Sequence, residues 1–364
     1  MDKKKIAIFI PTLEGGGAES TMVVLAVGLQ TRGYSVDLIL KQRRGELSQN
    51  IPESINVIDF NVAIMRYTLK KLISYEKTHQ PDAIISALEL PNVTSILASR
   101  AIKSRPRVII SVHGLISKQK PIYNQWIDRL LFSATYPFAD DIVTVSQTCA
   151  KDAIRYLHLP KGKVKVIYNP IINEGLTQRA QEPITHDWFS QKPKKTILSI
   201  GRLESVKDHK TLLKAFALVR ERENAQLVIL GEGTLKSEIQ ELVSQMGLVD
   251  EVLMPGFISN PYPIIANADV LVISSLHEAL PNVLVEALAC QCPVVSTACG
   301  GPEEILGYGK YGHLVSIGDH EAMAEAILKV FEGDERLATP EWLDQFHVER
   351  NIDRYVALIE HDAK

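Results

Sequence analysis

The sequence predicts an α/β fold made of two doubly wound domains in tandem, and three observations support this. Short runs of β-branched and other apolar residues alternate with helical patterns along most of the 364 residues, which predicts parallel sheets with helices on both faces. The predicted strands are apolar almost without interruption, as is typical of strands buried on both sides of a sheet. The alternation stops near residue 170 and starts again at residue 195, so two domains are predicted, as the chain length also indicates.

The first domain is predicted to span residues 1–170. A strand at 5–11 is followed by a helical pattern at 19–33 that ends at a glycine. Helical segments such as 121–136 separate the strands that follow. Those strands read SVDLIL, INVIDF, DAIISAL, RVIISVH, DIVTVS and VKVIYNP.

A linker is predicted at 171–194, because this stretch is polar, contains prolines and shows no sustained periodicity. The second domain is predicted at 195–346, where strands and helices alternate again. Its helical patterns lie at 209–222, 234–246, 281–290 and 320–332. We expect two such domains to face each other across a cleft, with the ligand at the carboxyl ends of the strands.

Composition and charge narrow the class of protein. The apolar and charged fractions, 46% and 23%, are those of a soluble globular protein. No uncharged apolar stretch approaches the ~18 residues of a membrane span, and the start does not resemble a secretory signal, so we expect a cytoplasmic protein. Residues 1–170 hold 23 Lys and Arg against 14 Asp and Glu, whereas the remainder holds 17 against 29. This imbalance indicates that the first domain faces an anionic surface.

A glycine-rich loop follows the first strand. Three consecutive glycines in PTLEGGGAE (11–19) let the backbone approach an anion, and the helix start offers N–H groups. The alternatives are a tight turn without a ligand and a nicotinamide-binding loop. The second alternative needs an acid at the end of the next strand, and Asp37 lies early in that strand instead.

Two cations follow the first strand of the second domain. Arg202 and Lys207 come directly after Gly201, at a strand's carboxyl end, where together they could neutralise a diphosphate. The alternative is a pair of solvated surface charges. Further along, Phe257 and Ile258 close another strand, and their backbone could hold a nucleobase by its edge.

The segment SSLHEALPNVLVEALA (274–289) places an acid on each side of a helix start. Pro281 suits the first helical position, and the amides of Leu280, Asn282 and Val283 are expected to favour negative charge. Glu286 lies ~7 Å further along the axis, in an apolar helix where an unpaired acid is not expected. The two acids, Glu278 and Glu286, could therefore bind hydroxyls at opposite ends of one ligand. The alternative for Glu286 is a surface acid.

Taken together, these motifs resemble the retaining glycosyltransferases of family 4. The resemblance rests on the Glu278–Glu286 spacing, Gly201 and Arg202 with Lys207, GGGAE, PGFI and GGPEEI, and it covers nearly the whole chain. It implies the GT-B fold, in which two Rossmann-like domains face each other and a terminal helix, here about 347–364, returns to the first domain. The family commonly has glycine after the first acid of the pair, where this chain has Ala279.

The resemblance also implies a role for each motif. Arg202 and Lys207 would bind the donor diphosphate, Glu286 the ribose and Glu278 the transferred sugar, and His113 would lie near that sugar. The catalytic set would be His113, Glu278, Arg202 and Lys207. The remaining donor contacts would be Gly16, Gly17, Gly201, Phe257, Ile258, Ala279, Leu280, Pro281, Asn282 and Val283.

The implied reaction is sugar transfer with retained configuration. We expect a UDP-linked hexose or N-acetylhexosamine as donor, and a lipid-linked or glycan acceptor in cell-surface polysaccharide or glycolipid assembly. The chain has no Asp-x-Asp tripeptide, and its four cysteines lack zinc spacing, so we expect neither metal nor cofactor, and no nucleic-acid partner. The alternatives are an epimerase of the same fold, a two-domain nicotinamide oxidoreductase and a non-catalytic sugar-binding protein.

Two basic segments of the first domain are predicted to meet the acceptor and an anionic membrane. Residues 64–79 and 120–138 mix basic and aromatic with apolar side chains. The alternative is that both are core-facing helices with a solvated basic face. The predicted surface comprises Lys70, Lys71, Lys118 and Lys120, and it would make the protein peripheral at the inner face of the plasma membrane.

Overall fold

The computed structural model describes residues 3–184 and 194–361. The chain divides into two compact units. Unit 1 comprises Met1–Pro170 together with Phe346–Lys364, and unit 2 comprises Ile171–Gln345.

Unit 1 is built on a seven-stranded parallel sheet of order β3-β2-β1-β4-β5-β6-β7. Strands β1, β2, β4 and β5 are buried along nearly their whole length, because helices cover both faces. The strands are β1 (Lys5–Ile10), β2 (Ser35–Leu40), β3 (Asn56–Asp59), β4 (Ala83–Ala87), β5 (Arg107–Val112), β6 (Asp141–Thr144) and β7 (Val164–Val166).

Five helices lie between these strands: α1 (Gly17–Thr31), α2 (Thr68–His79), α3 (Glu89–Arg100), α4 (Gln125–Thr135) and α5 (Gln147–Leu157). Helix α4 starts later than the predicted 121–136, because the Asn124 side chain accepts the amides of Trp126 and Ile127 and caps the helix there.

Unit 2 contains a six-stranded parallel sheet of order β10-β9-β8-β11-β12-β13. Its strands are β8 (Lys195–Ile200), β9 (Ala225–Leu230), β10 (Val252–Gly256), β11 (Val270–Ile273), β12 (Val294–Thr297) and β13 (His313–Val315). Its helices are α6 (Glu174–Ala180), α7 (His209–Arg222), α8 (Lys236–Gln245), α9 (Tyr262–Asn267), α10 (Asn282–Ala289), α11 (Gly301–Ile305), α12 (His320–Phe331) and α13 (Pro340–Leu343). The prediction of two doubly wound α/β domains is confirmed.

The C-terminal helix α14 (Val348–Glu360) belongs to unit 1 and packs on α1. Ile352 is fully buried there and lies directly against Gly28, where an added Cβ would come within 1.8 Å of the isoleucine Cδ1. Arg32 pairs with Glu349 and Asp353 at 2.6 and 2.8 Å. Close packing and charge together hold α14 on α1.

The prediction of an unstructured linker at 171–194 is wrong for the first half of that stretch. Helix α6 lies inside the stretch predicted to lack structure, and it packs on α9 within unit 2. Seven residues make two turns, too few to show a helical period, although Asn173 caps the helix by accepting the Leu176 amide. Residues 185–193 of the predicted linker lie outside the described residues.

Within residues 3–184 and 194–361, no helix is both long and apolar enough to cross a bilayer.

Candidate functional site

Most of the predicted donor residues of unit 2 follow β8 or β11, two neighbouring strands, and a third loop follows β12 beside them. Strands β8, β11 and β12 are adjacent in the sheet. Gly201 follows β8, the segment 274–278 follows β11, and Cys299 and Gly300 follow β12. Because parallel strands end at one edge of a sheet, these loops meet.

Lys207 and Glu278 contact each other, although 71 positions separate them in the sequence. The Lys207 Nζ lies 2.6 Å from Glu278 Oε1, and Ser275 Oγ donates to the same oxygen at 2.8 Å. Both charged side chains are mostly buried. The structure therefore brings a predicted diphosphate-binding cation and a predicted sugar-binding acid into one ion pair.

Hydrogen bonds hold the Glu278 loop from both sides. Ser274 Oγ donates to the Lys207 carbonyl at 2.7 Å, and the Leu276 amide donates to the Val206 carbonyl at 2.8 Å. On the other side, the Glu278 amide donates to the Cys299 carbonyl at 3.1 Å and its carbonyl accepts from Gly301 at 2.8 Å. The acid is thus fixed by neighbours of β8 and β12 rather than by its own strand alone.

Two glycines permit this close approach. A Cβ on Gly201 would lie 3.1 Å from Lys207 Cε, and a Cβ on Gly301 would lie 2.3 Å from the Ala279 carbonyl oxygen. Ala279 itself is not among the non-glycine residues with positive φ in the described chain. Alanine is therefore accommodated at this position without left-handed strain.

The structure does not bring Arg202 into the same contact. Its side chain is 73% exposed, and its Nη1 pairs with Glu204 Oε1 at 3.1 Å. An exposed pair of this kind is weak, so the guanidinium can exchange Glu204 for another anion at little cost.

The sequence did not reveal His209 as a member of this site. A small pocket is lined by Gly201, Lys207, His209 and Ser274, among others. The imidazole is buried, and its Nδ1 finds no hydrogen-bond partner among the described residues. Burial, with the Lys207 charge adding to it, lowers the pKa of His209 to about 4, so the ring is neutral. In the sequence, the signal that His209 belongs to this site was its position two residues after Lys207.

Glu286 lies on α10 and is not a surface acid. The Tyr262 hydroxyl donates to its Oε1 at 3.5 Å, and the Arg179 guanidinium carbon lies 4.6 Å from the centroid of the Tyr262 ring. Burial raises the pKa of Glu286 to about 7, and the Tyr262 hydroxyl and the Arg179 charge oppose that rise. The sequence predicted that this acid is paired, but not with which residues.

The predicted base contacts follow β10, and the predicted phosphate contacts lie at the start of α10. Phe257 is exposed and follows Gly256, which has φ +90° at the end of β10, and Ile258 is partly buried. Pro281 stands just before the helix rather than in its first position, so α10 begins at Asn282. Leu280 is buried, and Val283 is partly exposed in the first turn.

The glycine loop of unit 1 is capped by the chain's own acid. The Gly16 amide donates to Glu19 Oε2 at 2.7 Å, and Thr12 Oγ1 donates to Glu19 Oε1 at 3.0 Å. Gly17 is the first residue of α1. A carboxylate therefore already occupies the start of this helix.

Asp37 is a structural acid. It pairs with Ala7 and Asn56 in the sheet register, within β2 rather than after it. Tyr75 donates to its Oδ2 at 2.6 Å and Asn56 to its Oδ1 at 2.8 Å. Its carboxylate is thus used inside the fold, which disfavours the nicotinamide alternative.

His113 follows β5 and is supported from the C-terminal helix. Its Nε2 lies 2.9 Å from Ser111 Oγ, which in turn lies 3.4 Å from the Tyr355 hydroxyl on α14. Burial lowers the pKa of His113 to about 4. The predicted sugar contact is therefore a neutral imidazole near pH 7.

The four lysines of the predicted acceptor surface differ in their surroundings. All four are exposed. The Lys71 ammonium also donates to the Phe60 carbonyl and lies 6.0 Å from the centroid of that ring. Lys71 is therefore partly used in holding α2 on the sheet.

Comparisons with known proteins assign the class. The family model for Glycosyltransferase Family 4 matches residues 15–174, and that for Glycosyl transferases group 1 matches residues 181–340. In structure, the chain is similar to HepE from Anabaena in complex with UDP and glucose, with a TM-score of 0.83, 19% identity, and 99% of this chain and 100% of that chain covered. The fold is thus the GT-B fold of glycosyltransferases.

In sequence, the chain is similar to two proteins from Campylobacter jejuni. One is named N-acetylgalactosamine-N,N'-diacetylbacillosaminyl-diphospho-undecaprenol 4-alpha-N-acetylgalactosaminyltransferase and is 31% identical, with 91% of both chains covered. The other, a GalNAc-alpha-(1->4)-GalNAc-alpha-(1->3)-diNAcBac-PP-undecaprenol alpha-1,4-N-acetyl-D-galactosaminyltransferase, is 29% identical, with 89% of this chain and 88% of the relative covered. The chain belongs to the family 4 glycosyltransferases and is a hexosyltransferase, which confirms the family predicted from its motifs and favours transfer over the epimerase and oxidoreductase alternatives.

Proposed function

We propose that the protein transfers a hexose or N-acetylhexosamine from a UDP-linked donor to a lipid-linked or glycan acceptor in cell-surface polysaccharide or glycolipid assembly. The names of the relatives support a diphospho-undecaprenol-linked acceptor and an N-acetylhexosamine, and the HepE complex supports UDP. The observation that carries the proposal is the Lys207–Glu278 ion pair, fixed where three parallel strands end.

In this proposal the donor diphosphate binds beside Lys207. A lysine ammonium has three N–H donors, so Lys207 can keep Glu278 and still donate to phosphate oxygens. Arg202 would leave Glu204 and add a second cation, and the start of α10 would contribute its dipole. These groups would stabilise the charge that develops on the leaving diphosphate.

The proposed transfer retains configuration without a covalent enzyme intermediate. The bond from the anomeric carbon to the phosphate oxygen breaks as the acceptor oxygen bonds to that carbon on the same face. The acceptor's proton passes to the leaving phosphate oxygen. Glu278 is assigned no covalent role in this proposal. Lys207 and Ser275 engage its Oε1, and its proposed role is to bind hydroxyls of the transferred sugar.

We also propose that no metal is required, because Lys207, with Arg202 once it leaves Glu204, could neutralise the charge of the diphosphate. Full activity is expected after exhaustive chelation, measured as UDP release with acceptor present. Activity that is abolished by a chelator and restored by magnesium or manganese would contradict this.

The decisive experiment for the function is a donor panel read by calorimetry and by product formation. UDP-sugars are expected to bind, whereas GDP- and ADP-sugars are expected to bind at least tenfold more weakly. A Glu278→Ala variant should lose transfer while keeping the fold, and Glu221→Ala, on an exposed part of α7, is the matched control. Full transfer by Glu278→Ala would contradict the assignment.

The proposed acceptor surface in unit 1 includes an apolar face as well as lysines. On α4, Trp126 and Leu130 are 79% and 72% exposed and lie one turn apart. The helix turns an acid inward instead: buried Asp128 accepts the amides of Ile122 and Tyr123. Large apolar side chains outside and an acid inside are typical of a surface that meets an interface rather than water.

We propose that this face lies in an anionic bilayer that carries the lipid-linked acceptor. Lys118 and Lys120 precede the apolar residues in the chain and would reach lipid phosphates, while Trp126 suits the boundary between headgroups and acyl chains. Flotation with vesicles of phosphatidylglycerol and phosphatidylcholine tests it.

Trp126→Ser with Leu130→Ser should abolish flotation, and Lys118→Glu with Lys120→Glu should weaken it and make it less salt-dependent. Val249→Ser removes another exposed apolar side chain, 62% exposed, from unit 2 and should change nothing. Flotation that is unchanged in both double variants would exclude this surface.

A further inference from the structure

Helix α6 brings a cation to the predicted ribose-binding acid from a stretch that the sequence marks as a linker. The helix packs on α9, and its Leu176 is buried, with 1% exposed. Asn260, two residues before α9, donates from Nδ2 to the Arg179 carbonyl at 3.3 Å and to Glu182 Oε2 at 2.8 Å. These contacts fix the end of α6 relative to α9 and set the position of the Arg179 backbone.

Three side chains then follow one another from α6 to α10. The Arg179 guanidinium carbon lies 4.6 Å from the centroid of the Tyr262 ring, within the range of a cation–π contact. The Tyr262 hydroxyl points to Glu286, with its oxygen 3.5 Å from Oε1. Arg179 Nε also donates to the Gly175 carbonyl at 3.1 Å, so the guanidinium is held to its own helix.

The chemistry of a diol explains why such support matters. An ionised carboxylate accepts from both hydroxyls of a ribose, whereas a protonated one must use one oxygen as a donor. Burial in an apolar helix disfavours the ionised form, and the pKa of Glu286 accordingly rises to about 7. A nearby positive charge and a hydroxyl donor both favour ionisation.

We propose that Arg179 and Tyr262 are positioning residues of the donor site, which favour the ionised form of Glu286 and aim its carboxylate at the diol of the donor's ribose. This rests on the proposed function, since it takes the ligand of Glu286 to be a nucleotide. It adds to that function a dependence of donor binding on pH that is set from α6.

The groups that act on Glu286 can be named for each element. Tyr262 comes from α9 and Arg179 from α6, and Cys290 follows at the end of its own helix, where burial and the Glu286 charge raise the thiol pKa to about 12. The other helices that pack on α10 are α11 and α13. Their acids are Glu303, which accepts the Gly300 amide at 2.8 Å, and Glu304 and Glu341.

The test compares the wild-type chain with Arg179→Gln, Arg179→Lys and Tyr262→Phe. UDP affinity is measured by calorimetry from pH 6.5 to 8.5. Apparent affinity scales with the ionised fraction, so a tenfold loss in the ionisation constant of Glu286 gives Arg179→Gln roughly eightfold weaker binding at pH 6.5 and less than about twofold at pH 8.5. Arg179→Lys should restore most of the loss, and Arg222→Gln, which removes an exposed arginine paired with Glu325, should match wild type.

Steady-state kinetics should likewise show an effect on donor binding and not on the chemical step. In Arg179→Gln and Tyr262→Phe the KM for the donor should rise while kcat at saturating donor stays within about twofold. In both variants at pH 6.5, the ratio of the Kd of 2′-deoxy-UDP to that of UDP should be closer to one than it is in the wild type. An equal loss of affinity at every pH would mean that α6 acts only on the fold, and would overturn the proposal.

A ligand-free measurement separates this proposal from the donor assignment. The Glu286 carboxyl is followed by carbon NMR in ¹³C-glutamate-labelled protein and assigned with Glu286→Gln. Its titration should move to higher pH in Arg179→Gln. If it moves but wild type binds no UDP, the positioning role stands and the donor nucleotide is wrong. If UDP binds and the titration does not move, the positioning role is wrong and the donor assignment stands.

Discussion

Helices α1 and α10 both begin in a loop after a strand of a parallel sheet, but their first turns differ in charge. At α1 the Gly16 amide is taken by Glu19 of the same helix, 2.7 Å away. Helix α11 repeats this arrangement, with Glu303 accepting the Gly300 amide. The first turn of α10 carries no acidic side chain in the described chain. A helix start favours an anion, so the start of α10 is compatible with the proposed position of the donor's phosphates, whereas α1 and α11 each place an acid of the chain there.

The largest effect is expected when Lys207, the cation that pairs with Glu278, is replaced. Lys207→Met takes away the partner of Glu278 and a proposed donor to the diphosphate. The loss of one such preorganised group should lower kcat/KM by about 10³-fold. Steady-state kinetics with varied donor measure it, and Lys210→Met, a nearby exposed lysine, should stay within about twofold. A loss below tenfold would place the diphosphate elsewhere.

A second change displaces the loop that leads into α10. The Cβ of Gly301→Ala would lie 2.3 Å from the Ala279 carbonyl oxygen, so the backbone at 279 and 280 must move. A displacement of this size should lower kcat by about 100-fold. Gly162→Ala meets no atom within 4 Å and should be silent in the same assay. Normal activity in Gly301→Ala would show that the loop tolerates the shift.

The third change gives α10 the acid that α1 already has. Val283→Glu places a carboxylate in the first turn, where it should stabilise the helix slightly but repel the diphosphate. The donor KM should rise about tenfold relative to Val283→Gln, which has the same shape without the charge. If the two variants have equal KM values, the phosphate charge does not lie at this helix start.

The smallest effect is expected at α1. Glu19→Gln weakens the cap and should lower the free energy of unfolding by about 1 kcal/mol, measured by urea denaturation. The donor KM should stay within about threefold, because this helix start is occupied by the chain itself. A large KM change would mean that Glu19 responds to the donor, and the contrast between the two helices would then weaken.

The sequence predicted well what depends on continuous patterns. Apolar strands and the loops after them lie where expected, because burial on both sides of a sheet leaves few other residues possible. Contacts between distant loops were not predictable. The Lys207–Glu278 pair joins residues from two strands whose adjacency is set by the order of the sheet.

The other features that the sequence did not predict are short or local. Helix α6 is too short for its period to show, so Arg179 was hidden in a predicted linker, and with it the support of Glu286. Tyr262 begins the six-residue helix α9 before β11, and nothing in the sequence indicates which helix its hydroxyl faces. Helix α10 begins at Asn282, one residue later than predicted, so Pro281 stands just before it. This difference lies within the usual variation of a helix end.

The placement of α14 on α1 has a consequence for protein synthesis. The ribosome completes the first 170 residues of unit 1 and must then translate all of Ile171–Gln345 before α14 emerges. At the usual rate of about 5–20 residues per second, this interval lasts roughly 10–35 s. During it the groove at Gly28 lacks Ile352, and Ser111 beside His113 lacks Tyr355. A nascent chain in this state exposes an apolar groove to chaperones, and the hydrogen-bonded support of His113 is complete only after the other unit has been made.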